Sequence, residues 1–321
     1  MSLLVFNSSN RIAQGVIKRL YGSGNFEKIV CADLYPSYSS IQRFLKFKDE
    51  LKDVSSNSKL SDIKASERSE LADAIQGCTH LLYVTHDYYS LTASKLNLIK
   101  TTAELAKKNR NIKQFVALTP VEHDHYGETN PAQAARVSEQ EAINIYPNLV
   151  HLKTDLTFGP NSTVAHSILT RFVNGRGLHQ VTSSATARPI HSEDVAAITE
   201  TVLSEDKHQG KAYLLRGADD ISISDYINIL KNHSGSSEGV GSLLEKIISP
   251  ASPIAEALYD PSYINLARLL KQYKPLEKEG FETIDTPLKG IRSTYLEERI
   301  KESNYRSEEA GFERVLKNFL Y

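Results

Sequence analysis

Short apolar runs alternate with longer amphipathic segments through residues 1–160, and this alternation restricts the chain to few folds. Strands separated by helical segments are typical of βαβ units, whose strands lie parallel in one sheet. The chain is therefore expected to form an α/β fold built on a doubly wound parallel sheet. The runs that predict its strands are residues 3–6, 28–32, 60–63, 80–85, 113–118 and 149–153.

The pattern changes after residue 160. The segment "TARPIHSEDVAAITETVL" predicts a short extended piece followed by a helix, with Ser192 as the N-cap. Residues 234–321 are at first rich in Ser and Gly and then show helical periodicity interrupted by prolines. We expect a Rossmann-like nucleotide-binding domain at 1–160 and a smaller, mainly helical C-terminal region at 161–321, packed on the strand ends. The last residues, "VLKNFLY", predict a helical docking tail.

Composition excludes several classes of function. The chain has 38 basic and 39 acidic side chains and a net charge of −1, so no overall field attracts nucleic acid. Cys31 and Cys78 lie in apolar stretches without paired spacing, which predicts buried thiols rather than a disulfide or a zinc site. No apolar run approaches the roughly 18 residues that span a bilayer. The first strand begins almost at Met1, so a cleavable presequence of ordinary form is not expected.

The first strand leads into the first helix through a turn of the kind that holds a pyrophosphate, because free N–H groups and the helix dipole favour an anion there. The three positions that normally hold glycine are Asn7, Asn10 and Ala13. Asparagine tolerates left-handed backbone, so Asn7 and Asn10 are expected to preserve the turn, although Asn10 adds bulk where the pyrophosphate would lie. The sequence predicts either a weakened dinucleotide site or a fold that keeps the turn without the ligand.

Other side chains support the first interpretation. Ser8, Ser9 and Arg11 are candidate phosphate donors. Asp33 stands about 20 residues after the turn, where a ribose-binding acid is expected.

Four segments together resemble the atypical or extended short-chain dehydrogenases/reductases over residues 3–230. They are "VFNSSNRIAQGVIKRL", "SDIKASERSELADAIQGCTHLLYVTH", "HLKTDLTFGPNS" and "RPIHSEDVAAI". The resemblance implies an NAD(P)-binding Rossmann fold, with Asp33 at the adenosine ribose, Asp62 and Ile63 at the adenine, and Val84 and Thr85 at the middle of the cofactor. An acid at Asp33 repels a 2′-phosphate, which favours NAD(H) over NADP(H).

The complete set of cofactor-binding residues that the resemblance implies combines the turn with the carboxyl ends of the strands. It consists of Asn7, Ser8, Ser9, Asn10, Arg11, Ile12, Asp33, Asp62, Ile63, Val84, Thr85, Thr119 and Lys153.

The catalytic pair of that family is missing. Its enzymes use a tyrosine and a lysine four residues later to exchange a proton and hold the nicotinamide ribose. In the segment "NPAQAARVSEQEAINIYPNL", one register puts Pro131 and Ala135 at these places, and a register shifted by two puts Gln133 and Val137 there. The family's serine or threonine after the fifth strand is Thr119 or Pro120.

Other side chains do not restore the relay. The nearest tyrosine, Tyr126, lacks a basic partner four residues on. The loop "VEHDHYGE" has the side chains of a zinc site, but it is expected to be a solvated loop without metal. We therefore expect no catalytic residues of the usual kind, which favours a pseudoenzyme over an enzyme.

Within the family, these departures and "EQEAINIYPNLVHLKTDLTFG" most resemble the short-chain-dehydrogenase-like accessory subunits of mitochondrial respiratory complex I. The resemblance implies a structural or assembly role on the matrix side of the inner membrane, with respiratory-chain subunits and lipid headgroups as partners. Those subunits usually carry a basic residue at the position of Asp33. Three alternatives therefore stay open for the nucleotide: NAD(H), NADP(H) or none.

Two other interpretations stay open. One is a soluble, cytoplasmic NAD(P)-dependent oxidoreductase or isomerase, whose proton would be carried by Thr119, Tyr126 or His86. The other is an NmrA-like regulator that senses dinucleotide.

Overall fold

The structure is a computed structural model, and it describes residues 1–34, 38–65, 68–85, 98–120, 130–173, 185–233, 282–285 and Leu270. Its strands, numbered in chain order, are β1 (Ser2–Phe6), β2 (Lys28–Leu34), β3 (Lys59–Ala65), β4 (His80–Val84), β5 (Gln114–Pro120), β6 (Val150–Thr154), β7 (Thr157–Phe158), β8 (Thr186–Ala187), β9 (Ile190–His191), β10 (Ala212–Arg216), β11 (Ile221–Ser222) and β12 (Glu282–Asp285). Its helices are α1 (Arg11–Ser23), α2 (Tyr38–Leu51), α3 (Arg68–Gln76), α4 (Leu98–Lys108), α5 (Asn130–Ile145), α6 (Thr163–Val173), α7 (Ser192–Ser204) and α8 (Ile223–His233).

One parallel sheet organises the described residues. It has eight strands in the order β12-β10-β6-β5-β4-β1-β2-β3, and every pairing in it is parallel. The strand order reverses between β1 and β4, and in doubly wound sheets ligands bind in the crevice outside the carboxyl ends at such a reversal. The expected fold class is confirmed, and it places the candidate site at the end of β1.

Two apolar layers cover the sheet, because alternate residues of each strand point to opposite faces. Strands β1, β4, β5 and β6 are almost fully buried, as strands covered on both faces must be. The layer under α1, α2 and α7 includes Leu3, Val5, Val16, Phe44 and Val195. The layer under α3, α4 and α5 includes Leu4, Phe6, Leu71, Ala103 and Ala142.

Residues beyond 160 also contribute to this sheet. Strand β10 pairs with β6, and β12 extends the sheet on the far side of β10. Helix α7 packs beside α1, and the guanidinium of Arg19 lies 2.6 Å from the carboxylate of Glu200 across that contact. The division at residue 160 stays a prediction, and the C-terminal tail at 289–321 lies outside the described residues.

The N-cap expected at Ser192 is wrong by one residue. Helix α7 begins at Ser192, and His191 has the extended backbone of an N-cap, with φ −71° and ψ 140°. Its ring Nδ1 accepts a hydrogen bond from the N–H of Glu193 at 3.3 Å. An imidazole nitrogen thus takes the role that sequence patterns assign to a serine hydroxyl.

Candidate functional site

The turn after β1 has the left-handed residue that the sequence predicts at its first position. Asn7 has φ 57°, and among the described residues it is the one non-glycine residue with positive φ. Its Nδ2 donates to the carbonyl oxygen of Val84 at 2.7 Å, which ties the turn to the end of β4. Asparagine is suited to this backbone because its short side chain makes such a local bond.

Asn10 does not adopt the left-handed conformation. Its φ of −65° and ψ of 140° are those of a helix N-cap, and its Oδ1 accepts a hydrogen bond from the N–H of Ile12 at 2.8 Å. Its Nδ2 donates to the carbonyl oxygen of Thr85 at 3.3 Å. The amide of Asn10 therefore occupies a helix N–H that a phosphate oxygen would otherwise accept from.

Asp33 lies at the carboxyl end of β2, and its side chain points to the turn. Its two carboxylate oxygens accept from the Ser8 hydroxyl at 2.6 Å and from the Ser9 hydroxyl at 2.8 Å. The N–H of Ser9 lies 3.2 and 3.1 Å from the same two oxygens. All three residues are buried. The predicted ribose acid and the predicted phosphate donors are thus together, but they bind one another.

Two arginines give the turn a positive environment. Arg43 of α2 donates to the carbonyl oxygen of Ser9 at 3.3 Å. The guanidinium of Arg11 lies 2.9 Å from Nε2 of His166 on α6. Burial, and then the charges of Arg11 and Arg43, lower the pKa of His166 to about 3, so its ring is neutral and accepts from Arg11.

His166 should make stability depend on pH. The unfolded chain takes up this proton near pH 6.5 and the folded chain only near pH 3, so falling pH favours unfolding across that range. We expect the free energy of unfolding to drop by about 1–2 kcal/mol between pH 7 and pH 5 because of this side chain.

Urea titrations of the wild type and of His166→Gln at pH 7 and pH 5 measure the effect. The variant should lose a clear part of the wild type's pH dependence, whatever its stability at pH 7. An equal drop in both proteins would contradict the assignment to His166.

A second polar cluster lies under α5, on the sheet face that also carries Phe115 and Ala117. The Thr119 hydroxyl lies 2.8 Å from Nε2 of His151, and that nitrogen lies 3.7 Å from the carboxylate of Glu139. The ammonium of Lys153 lies 3.1 Å from the same carboxylate oxygen of Glu139. All four side chains are buried.

Two predicted cofactor-binding residues belong to this cluster and make their contacts away from the turn. Thr119 and Lys153 are paired neighbours on β5 and β6, but their side chains contact groups under α5. Sequence reasoning missed Glu139 and His151. The signal was present in β6, where polar residues at 151 and 153 alternate with Val150 and Leu152 in a strand that is otherwise apolar.

The position of α5 bears on the missing catalytic pair. Ala135 is buried, and Val137 is 57% exposed. Of the two registers, only the one with Ala135 at the lysine position places that position on the buried side of α5. No basic side chain stands there. Tyr83, near the end of β4, is buried, and this burial raises the pKa of its hydroxyl.

The remaining predicted residues lie on β3, at the end of β4, or outside the described part of the chain. Asp62 and Ile63 are on β3, opposite Cys31 and Ala32 of β2, and their place at the adenine stays a prediction. Val84 and Thr85 end β4 beside the turn. His86, Tyr126 and the loop at 121–128 lie outside the described residues.

Several general expectations can be compared with the described ranges alone. Cys31 and Cys78 are buried there and form no disulfide. Within the same ranges, no group of three or more His, Cys, Asp or Glu side chains could hold a metal ion. No helix in the described part of the chain is long and apolar enough to cross a membrane.

Comparison with known proteins shows similarity at the level of fold. No family model and no curated protein matches the sequence. The dTDP-glucose 4,6-dehydratase of Bacillus anthracis, solved with NAD, is 14% identical, with 74% of this chain and 82% of that chain covered and a TM-score of 0.59. The UDP-glucose 4-epimerase of Bifidobacterium longum, solved with NAD+ and UDP, is 13% identical over 74% and 84% of the two chains, with a TM-score of 0.56.

A third solved structure matches over more of the chain. It belongs to a study of pinoresinol-lariciresinol and phenylcoumaran benzylic ether reductases, and it is 11% identical over 94% of this chain and 99% of that chain, with a TM-score of 0.61. The described parallel sheet with its flanking helices has the Rossmann-like α/β fold of these neighbours. None of them links this chain to respiratory complex I.

Proposed function

We propose that this protein binds NAD(H) at the turn between β1 and α1, and that it acts through this binding rather than through a tyrosine–lysine proton relay. The observation that carries the proposal is the carboxylate of Asp33, which is buried at the end of β2 and directed at the turn. The solved structures of similar fold that contain NAD support the choice of ligand.

The residues of the turn fit the adenosine half of a dinucleotide. Asp33 would hold the ribose hydroxyls, and Arg11 with the N–H of Ile12 would face the pyrophosphate at the start of α1. The carboxylate of Asp33 repels a 2′-phosphate, and none of the described residues places a basic side chain in contact with it. Both features favour NAD(H) over NADP(H). The group that does not fit is the Asn10 side chain, which caps α1 from the place of the pyrophosphate.

A bound nicotinamide supplies a hydride donor or acceptor, and the residues around it decide whether chemistry follows. In the register that the burial of Ala135 supports, the family's tyrosine and lysine positions hold Pro131 and Ala135, and neither side chain can exchange a proton. Binding without the usual turnover is therefore the function that this geometry supports best, as in a dinucleotide-responsive regulator.

An oxidoreductase or isomerase is the second candidate, and one observation favours it. The Thr119 hydroxyl is hydrogen-bonded to His151 at the end of β5, where a hydroxyl and an imidazole could share a proton. The neighbours of similar fold are a dehydratase, an epimerase and reductases.

The accessory-subunit interpretation stays a prediction. Its partners, its lipid contacts and its mitochondrial location rest on the sequence resemblance alone, and the comparisons add no support to them.

Calorimetric titration of the full chain with NAD+, NADH and NADPH tests the proposed function. We expect NAD(H) to bind the wild type and Asp33→Asn to weaken this binding by about tenfold, since a charged acceptor of ribose hydroxyls is lost. The variant should also discriminate less against NADPH, because the repelling charge is gone.

Asp49→Asn on α2 is the matched control, since it removes an exposed acid that is bound to Lys52 and is not part of the turn. Its affinity should equal that of the wild type. Absence of binding by the wild type at millimolar NAD+ and NADH would overturn the proposal.

A further inference from the structure

We infer that this protein carries its own competitor for the dinucleotide: the side chains of Ser8, Ser9 and Asn10 occupy the contacts that NAD(H) would make. The inference rests on the proposed function and specifies how that site is regulated. Binding then proceeds by exchange of internal hydrogen bonds rather than by filling open ones.

The first exchange concerns Asp33. A ribose offers two neighbouring hydroxyls to an acid at this position. In this chain two neighbouring serine hydroxyls take those oxygens, at 2.6 and 2.8 Å. Ser8 and Ser9 are almost fully buried, so water does not compete for these bonds. A ribose must therefore displace hydroxyls that already satisfy the carboxylate.

The second exchange concerns the start of α1. A pyrophosphate oxygen accepts hydrogen bonds from the N–H groups of the first helical turn. One of these, the N–H of Ile12, already donates to Oδ1 of Asn10. Asn10 is itself buried, so its amide fills the space as well as the hydrogen bond.

The two exchanges have a common consequence for the end of β4. When Asn10 gives up the Ile12 N–H, its Nδ2 also leaves the carbonyl oxygen of Thr85. Thr85 is held to the sheet by its N–H, which donates to Leu118. Dinucleotide binding should therefore change the contacts at the ends of β4 and β5, and the empty protein should be fully folded.

The internal hydrogen bonds of Ser8, Ser9 and Asn10 also weaken the affinity for NAD(H). Ligand binding gains only the difference between the new hydrogen bonds and the ones given up, so removal of the internal partner strengthens binding without any new contact. Such a site fills only when the dinucleotide is abundant, which suits a protein that responds to its concentration.

Titration of NADH into the wild type, Asn10→Gly and Asn25→Gly tests the inference. Glycine is an acceptable N-cap, so Asn10→Gly should fold with little loss of stability. We expect it to bind NADH about tenfold tighter than the wild type, which corresponds to one hydrogen bond no longer given up. Asn25→Gly is the matched control, because it makes the same change at an exposed asparagine outside the turn, whose side chain donates to Glu200, and it should show no gain.

The outcomes separate the two proposals. If the wild type binds NADH and Asn10→Gly binds it equally or more weakly, the competitor inference is wrong and the proposed function stands. If neither protein binds, both fail. Should Asn10→Gly not fold, Asn10→Ser keeps a shorter cap and removes the bond to Thr85. It should still bind more tightly than the wild type, and an unchanged affinity there would contradict the inference.

Discussion

Replacement of Lys153 with methionine is expected to destabilise the protein by about 3–5 kcal/mol, the usual cost of breaking a buried ion pair on one side. Lys153 and Glu139 are almost fully buried, and the ammonium lies 3.1 Å from the carboxylate. Methionine has nearly the length of the lysine stem, so packing changes little. The cost arises because Glu139 keeps its charge in the interior without its cationic partner.

A double-mutant cycle separates this cause from a loss of packing. Glu139→Leu in the Lys153→Met background removes the remaining charge, and a large part of the lost stability should return. Lys52→Met is the control: its pair with Asp49 is exposed on both sides, and its loss should cost less than about 1 kcal/mol.

Urea unfolding at pH 7 of the wild type, Lys153→Met, Glu139→Leu and the double variant gives the four free energies of the cycle. A loss below about 1 kcal/mol for Lys153→Met would mean that other groups compensate Glu139 and that the pair does not hold α5 on the sheet.

The Glu139–Lys153 pair also specifies how α5 contacts the sheet. The family that the sequence resembles would have its tyrosine and lysine on this helix. Here Ala135 is at the lysine position, and one turn later Glu139 is directed into the sheet, where it meets a lysine supplied by β6. The Glu139 carboxylate thus binds this helix to the sheet.

Much of the fold followed from the sequence because the information was local. Each expected strand up to β6 lies within a few residues of an observed one, since apolar runs between amphipathic segments specify strands and crossover helices together. Asp33 was found for the same reason, because its place at the end of the second strand is defined by spacing from the turn.

The contacts that decide the function of the site are not local. Ser8 and Ser9 were correctly placed at the turn, but their side chains bind Asp33 rather than remaining available for phosphate. Asn10 was expected in left-handed backbone and is an extended N-cap, because the helix starts directly after it. Pairings between Glu139 on a helix and Lys153 on a strand depend on how the two elements pack, which no sequence period encodes.

The C-terminal region shows the same limit. The run "KAYLLRG" predicts a strand, but that it pairs with β6 and continues the main sheet depends on a long crossover. Strand β12 is too short and polar to be recognised alone, and it is identified by its pairing with β10.

The other large effect is expected at Gly217. A Cβ built on this residue lies 1.8 Å from the carbonyl oxygen of Pro189 and 2.8 Å from its carbonyl carbon. The N–H of Gly217 donates to the carbonyl oxygen of Arg188 at 2.8 Å, so the two backbones are held in contact by a hydrogen bond. A methyl group cannot enter without moving main chain, which makes this site less tolerant than a contact with a flexible side chain.

Gly217→Ala should therefore destabilise the protein by about 3 kcal/mol or more, at the upper end of what overpacking costs. The matched control is Gly22→Ala near the end of α1, where the new Cβ would lie 3.6 Å from a Val54 methyl, an ordinary van der Waals contact. Because alanine is the better helix former, this control should gain up to about 1 kcal/mol. Urea unfolding of both variants measures the expected loss in the free energy of unfolding for Gly217→Ala and the expected gain for Gly22→Ala.

The location of Gly217 gives the experiment a second readout. Its contact joins the exit of β10 to the segment before β9, and β9 pairs with β7 directly after β6. If the segments pulled apart locally, the turn at the end of β1 would keep its geometry and NADH affinity would be unchanged at temperatures where the variant stays folded. If affinity falls together with stability, the C-terminal segments and the turn unfold as one cooperative unit, which the shared sheet favours. A stability within about 1 kcal/mol of the wild type would show that the two backbones separate at little cost, contrary to the close contact described.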